Sequence, residues 1–118
     1  SCVVVRIDTD TGHTGCGFTA ITEEEVVACA VDSIAGPALL GLDARRTEQA
    51  SERLHWLLAP RGQDGYATHA IAAIDVALWD LKAQAAGEPL WRLLGGAREQ
   101  VPVYATFGFG FLERDALA

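Results

Sequence analysis

Between Tyr66 and Ala86 the chain runs without Gly or Pro, and its apolar positions recur at a helical rather than a strand period. The stretch predicts one long helix. Gly87 supplies a left-handed residue just past its end, and Pro89 opens a further short helix at 89–94. At about 100° per residue the apolar positions fall on two faces. Ala67, Ala70, Ile71, Ile74, Leu78, Leu81 and Ala85 form a broad stripe, and Ala72, Val76, Trp79 and Ala83 a narrower one. Two polar seams separate them: Thr68, Asp75 and Lys82 on one side, His69, Asp80 and Gln84 on the other. Such a helix packs between two bodies, and the preceding residues can cover only one face.

Upstream the pattern changes period. Residues 2–8 (CVVVRID) and 14–21 (TGCGFTAI) read as strands around the Asp- and Gly-bearing turn 9–13, which predicts an antiparallel hairpin. Thr22 to Glu25 reads as a capping box, with the Thr22 hydroxyl on the N3 amide and Glu25 reaching back. Val26, Val27, Ala30, Val31 and Ile34 follow at helical spacing, and Gly36-Pro37 is expected to stop that helix. Asp43 can cap a second helix running to about Leu58, with Ala50, Leu54, Leu57 and Leu58 inward. Residues 59–65 form a loop. Past the long helix, residues 101–106 read as a fresh strand and LERDALA as the opening turn of another helix. The fold class expected is α+β: an antiparallel hairpin or meander, then a helical bundle, then the start of a βα unit.

With 118 residues, half of them hydrophobic and 21% charged, the chain is globular and of single-domain length. The net charge of −7 and a single lysine leave no basic stripe for nucleic acid and argue against an anionic membrane surface. Cys2, Cys16 and Cys29 are odd in number and follow no C-x-x-C spacing. With no signal peptide and no long apolar run, a reducing cytoplasm is expected. The absence of an initiator Met and a start inside a β-like run predict that the natural chain begins upstream.

Motif chemistry is sparse. Asp8, Asp10 and His13 could be cation ligands, but their spacing offers no bidentate clamp and a polar hairpin turn is expected instead. Gly12, Gly15 and Gly17 match neither G-x-G-x-x-G nor a Walker pattern, so they are read as a strand bulge. No G-x-S-x-G elbow is present, and His13, His55 and His69 have no recognisable nucleophile partner.

The residues AIAAIDVALWDLKAQAAGEPLWRLLGG followed by VPVYAT resemble the end of the N-terminal capping domain in the mandelate racemase/muconate lactonizing branch of the enolase superfamily. Asp75, Trp79, Asp80, Lys82, Gly87, Pro89 and Leu93 to Gly96 carry the likeness. It implies a cap at residues 1–96 and, at 97–118, the first strand and start of the first helix of a truncated (β/α) barrel. It also implies that Asp75, Asp80 and Lys82 bond other groups across the cap–barrel contact rather than catalyse.

The resemblance further implies an enzyme that binds Mg²⁺ through three carboxylates on barrel strands. A Lys or His base there removes the proton α to a substrate carboxylate. No catalytic or metal-binding residue is then expected in this segment, which by itself should be inactive. The cap closes loops over the barrel mouth, one expected upstream of Ser1 and one at 18–22, so Thr19, Ala20 and Ile21 are the expected substrate-facing positions. The partners implied are a small carboxylic acid such as a sugar acid, the remainder of the barrel, and further copies in a homo-oligomer. An acid-sugar dehydratase is the first reading and a racemase, epimerase or cycloisomerase the second. A non-catalytic binding or assembly module that keeps the cap fold is the alternative of another class.

Overall fold

The computed structural model of the chain describes residues 2–20, 23–61 and 64–105. Strands β1 (Cys2–Asp8) and β2 (Thr14–Ala20) pair antiparallel in unbroken register, from Asp8 opposite Thr14 to Cys2 opposite Ala20. The turn between them is held by Thr9, whose amide donates to the His13 carbonyl at 3.0 Å and whose Oγ1 accepts from the His13 amide. Asp8 accepts from Thr14 Oγ1 at 2.6 Å and pairs with Arg6 at 3.0 Å, so its carboxyl is held below the usual range, first by Thr14 and then by Arg6. The acidic turn is a polar clasp, as its spacing suggested.

Alternation along the hairpin gives it two faces. Val3, Val5, Gly15, Gly17 and Thr19 point inward and are buried, while Val4 and Phe18 sit opposite each other on the outer face. Inside lies the long helix α4 (Tyr66–Ala86). Its C-terminus closes as expected from Gly87, which takes φ 67° while its amide reaches the Gln84 carbonyl and that of Glu88 reaches Ala83, both within 3.1 Å. Pro89 then precedes the short helix α5 (Leu90–Leu93).

Helix α1 (Glu24–Ala30) starts one residue beyond the start that a Thr22 cap sets. Its N-cap is Glu23, at φ 56° and with no side-chain cap bond. Thr22 lies outside the described residues. Gly36-Pro37 does not stop the helix either. Residues Val31–Ala35 widen into a π-type turn, and α2 (Gly36–Leu39) continues it with Pro37 in its first turn. A π turn adds a residue to the helical period, and its wider loop accommodates the missing proline amide. That slip turns Ala35, fully buried, into the core and leaves Ile34 exposed.

Helix α3 spans Thr47–Leu58, and Asp43 does not cap it. Asp43 instead binds the Arg45 amide and guanidinium within a turn, which lowers its carboxyl to about 2. Ala50, Leu54 and Leu58 point inward as read, while Leu57 is half-buried. The main core joins Ala50 and Leu54 to Val5, Ala35, Ile74, Leu78 and Leu81, and a smaller cluster joins Val3, Val27 and Ala70. Residues 101–105 pair in no strand, contrary to the reading of 101–106, and Tyr104 is exposed. A strand is defined by a ladder, and nothing among the described residues lies alongside to form one. Phe107, Phe109, Phe111 and the expected helical turn after them lie outside the described residues.

Candidate functional site

Strand β2 lies along α4, and the fit is made by residues too small to stand out in a hydrophobic pattern. A Cβ on Gly17 would run into the Ala73 carbonyl oxygen and come within 2.8 Å of the Ala77 amide nitrogen. One on Gly15 would strike the Ala77 carbonyl and sit 2.6 Å from Leu81 Cγ. The two glycines therefore let strand backbone touch helix backbone, and the expected bulge is replaced by this close approach. Ala73 and Ala77, both fully buried, receive them; neither stripe of the sequence reading included these two positions.

Beside this seam the polar residues of α4 grip the strand. The Asp80 carboxylate accepts from the Cys16 amide at 2.9 Å, and Gln84 Nε2 donates both to the Thr14 carbonyl at 2.8 Å and to Asp80 at 3.1 Å. Asp80 thus acts inside the cap, correcting the expectation that it bonds across to a barrel. At about 100° per residue, His69, Asp80, Ala73, Gln84 and Ala77 share an arc of about 80°. This track satisfies part of the edge that a two-stranded sheet leaves open.

At the far end of the track β2 reaches the first turn of α4. Thr19, buried on the inner face, places its Oγ1 2.7 Å from His69 Nδ1. Ala20 is exposed on the opposite face, so the two expected substrate-facing residues point to different sides of the strand. Ile21 lies outside the described residues. Glu23, just past it, accepts from the Tyr66 hydroxyl at 3.1 Å, and that bond together with the nearby negative charge raises the phenol. Asp64, Gly65, Thr68, His69 and Ala72 line a shallow cleft of about 200 Å³ at this end. Sequence reasoning placed His69 on a polar seam but could not see its partner, which is fifty residues away.

The other polar seam is less completely paired. Lys82 Nζ lies 4.5 Å above the Trp79 ring and makes a long 3.5 Å contact to Thr47 Oγ1. Asp75 is half-buried, and burial, then the nearby Glu48, raises its pKa. Beyond it Ala72 and Val76 are exposed and Trp79 half-buried, while Ala83, read as part of the same stripe, is buried. Among the described residues no three His, Cys, Asp or Glu side chains converge on a metal position, and no helix is long and apolar enough to cross a membrane.

The chain is 44% identical over 105 residues to the 3,6-anhydro-alpha-L-galactonate cycloisomerase of Streptomyces coelicolor, covering 87% of this chain and 29% of that protein. It is 42% identical over 108 residues to a D-mannonate dehydratase of Rhizorhabdus wittichii, covering 86% and 26%. Its fold superposes on the crystal structure of L-talarate dehydratase from Polaromonas sp. JS666, complexed with Mg and L-glucarate, with a TM-score of 0.81 and 38% identity. That alignment covers 98% of this chain and 33% of the other. The chain therefore spans a third or less of the length of these relatives. Residues 1–95 match the family described as Mandelate racemase / muconate lactonizing enzyme, N-terminal domain. The hairpin and the helix laid beneath it are the N-terminal domain of that family, to which this chain belongs.

Proposed function

We propose that this chain caps the active site of an enzyme that removes the proton α to the carboxylate of a sugar acid, with dehydration as the net reaction. The observation that carries the reading is the 42% identity, over most of the chain, to a D-mannonate dehydratase. The similarity in fold to a talarate dehydratase holding L-glucarate supports it. On this reading residues 1–96 are the cap and 97–118 begin a (β/α) barrel that packs on the Ala72, Val76 and Trp79 face. The described residues hold no convergent donor set for Mg²⁺, so no step is assigned to a metal on them. Their contribution is to close over substrate with the end of β2, through Thr19, Ala20 and the adjoining Ile21. Three exposed, unpaired thiols suit a reducing cytoplasm, and an exposed apolar pair, Val4 and Phe18, suits a homo-oligomer.

A cycloisomerase is the second reading, because the Streptomyces coelicolor relative carries that activity in its name at 44% identity. The test is to assay the intact protein with mannonate, galactonate, talarate and galactarate, and with 3,6-anhydro-L-galactonate. Formation of a keto sugar acid from one of the first four is the expected result. Turnover of the anhydro sugar alone would select the cycloisomerase. Absence of product and of α-deuterium exchange with all five would favour a non-catalytic module.

A further inference from the structure

The cleft at the start of α4, about 200 Å³ in volume, is lined by Asp64, Gly65, Thr68, His69 and Ala72. Pockets that enclose a whole small ligand begin at roughly 300 Å³, so this one takes one end of a molecule. Buried Thr19 holds His69 Nδ1 at 2.7 Å, which fixes the imidazole and leaves Nε2 as its polar atom for the cleft. A hydroxyl both donates and accepts, so it suits Nε2 in either tautomer. Gly65 and Ala72 bring no polar side-chain atom and offer an apolar floor for C–H groups. Charge then selects among hydroxyl-bearing ligands. The start of α4 is worth roughly +0.5 of a charge, and the Asp64 carboxylate beside it outweighs that, so the cleft disfavours an anion. Ala72 also belongs to the face on which the barrel is proposed to pack. The cleft therefore opens at the rim of an interdomain contact, where ligand sites concentrate.

We propose that this cleft receives the neutral, hydroxyl-bearing end of the sugar acid, with His69 and Asp64 as its specificity-determining residues. The inference rests on the proposed function for the identity of the ligand. His69 Nε2 and the Asp64 carboxylate bond hydroxyls in the cleft, Asp64 as an acceptor only. A ligand with a carboxylate at that end brings no donor to Asp64 and meets its charge instead. The site therefore prefers a sugar acid with one carboxylate over one with two. Because Asp64 is exposed, salt screens the repulsion and weakens the preference.

The test compares galactonate and mannonate, with one carboxylate each, against galactarate and talarate, with two, on the intact protein. At low salt kcat/KM should favour the monoacids by about tenfold. Asp64→Asn keeps an acceptor oxygen but no charge. It should raise kcat/KM for the diacids about tenfold and lower it about threefold for the monoacids. Salt at about 0.5 M should narrow the wild-type preference and leave that of Asp64→Asn as it is. His69→Phe should raise KM for the monoacids about tenfold, and His69→Gln, which returns a hydrogen-bonding group, should recover part of it. A wild type that prefers a diacid would overturn the inference. So would an Asp64→Asn variant that moves both classes in the same direction, or an unaltered KM in His69→Phe. If the wild type turns over no sugar acid, the proposed function fails and binding decides. Galactonate titrated against the intact protein should shift the amide resonances of Gly65, Thr68, His69 and Ala72 where galactarate does not. Absence of those shifts with galactonate would remove the cleft as a site.

Discussion

The two long sides of α4 solve the problem of burial in opposite ways. Under β2 the helix shows Ala73 and Ala77 to two glycines, and main chain meets main chain with no side chain between. Around the helix from there, Val76 is 44% exposed and Trp79 half-buried beneath the Lys82 ammonium. The first side contributes little apolar area per residue, yet it tolerates no added atom. The second has ample apolar surface and room to change. Hydrophobicity along a helix therefore ranks these sides in the wrong order, because shape governs one and transfer from water governs the other.

The sharpest way to break the contrast is to add one methyl group to each side. Gly17→Ala forces a Cβ into the Ala73 carbonyl, an atom that cannot move without shifting the helix. The expected cost is at least about 3 kcal/mol, at the upper end of overpacking penalties, and loss of folding is the extreme outcome. Ala72→Val, on the exposed side, should stay within about 0.5 kcal/mol. Thermal or urea unfolding of the two variants checks both. Equal effects would mean that the seam relaxes and that the glycines are not required by contact.

A smaller effect is expected where polar groups, not packing, hold the strand. Asp80→Ala leaves the Cys16 amide and one Gln84 bond without their acceptor. Because water can reach the exposed strand edge, the loss should be about 1–2 kcal/mol, in the range for a hydrogen bond to a charged group. Asp80→Asn keeps an acceptor oxygen and should recover about half. The matching change on the other seam, Lys82→Met, removes one long contact and a cation over a ring, and should cost less than Asp80→Ala. Denaturant midpoints would rank the three, and a larger loss for Lys82→Met would reverse the comparison.

The same contrast accounts for what the sequence could and could not convey. The hairpin, the long helix and the Gly87 terminus each rest on a local signal: alternation, a helical period uninterrupted by Gly or Pro, and a glycine taking φ 67°. The seam under β2 does not. Gly15 and Gly17 look like flexibility until the helix they touch is placed, and Ala73 and Ala77 are weakly hydrophobic whichever way they face. The Asp43 cap failed because a capping motif competes with the turn chemistry beside it: Asp43 found the Arg45 amide nearer than the helix start. Pro37 failed as a stop because the π turn before it absorbs its steric demand. At the candidate site, Thr19 and Ala20 could be numbered from the resemblance, but the bonds from His69 and Tyr66 join residues that only the tertiary fold brings together.

The smallest expected effect belongs to Asp75, at the border between the core stripe and the exposed one. Burial, and then the charge of Glu48, raise its pKa above the ordinary 3.8. For a carboxyl whose folded pKa exceeds its unfolded one, the protonated form favours folding. Below about pH 3.8 Asp75 is neutral in both states and imposes no penalty. As the pH climbs from there through the raised folded value the penalty develops, and above that value it is complete. Asp75→Asn removes it, so the variant should melt slightly higher than the parent at pH 7 and at the same temperature near pH 3. The gain should lie within about the 0.5 kcal/mol spread of surface substitutions, since solvent screens a half-buried group. Glu48→Gln should reproduce only part of it, burial being the larger cause. Thermal melts of the 118-residue chain at the two pH values decide the point. A lower melting temperature for Asp75→Asn at pH 7 would mean that a cation already compensates the carboxylate, and the exposed side of α4 would then be better satisfied than its geometry indicates.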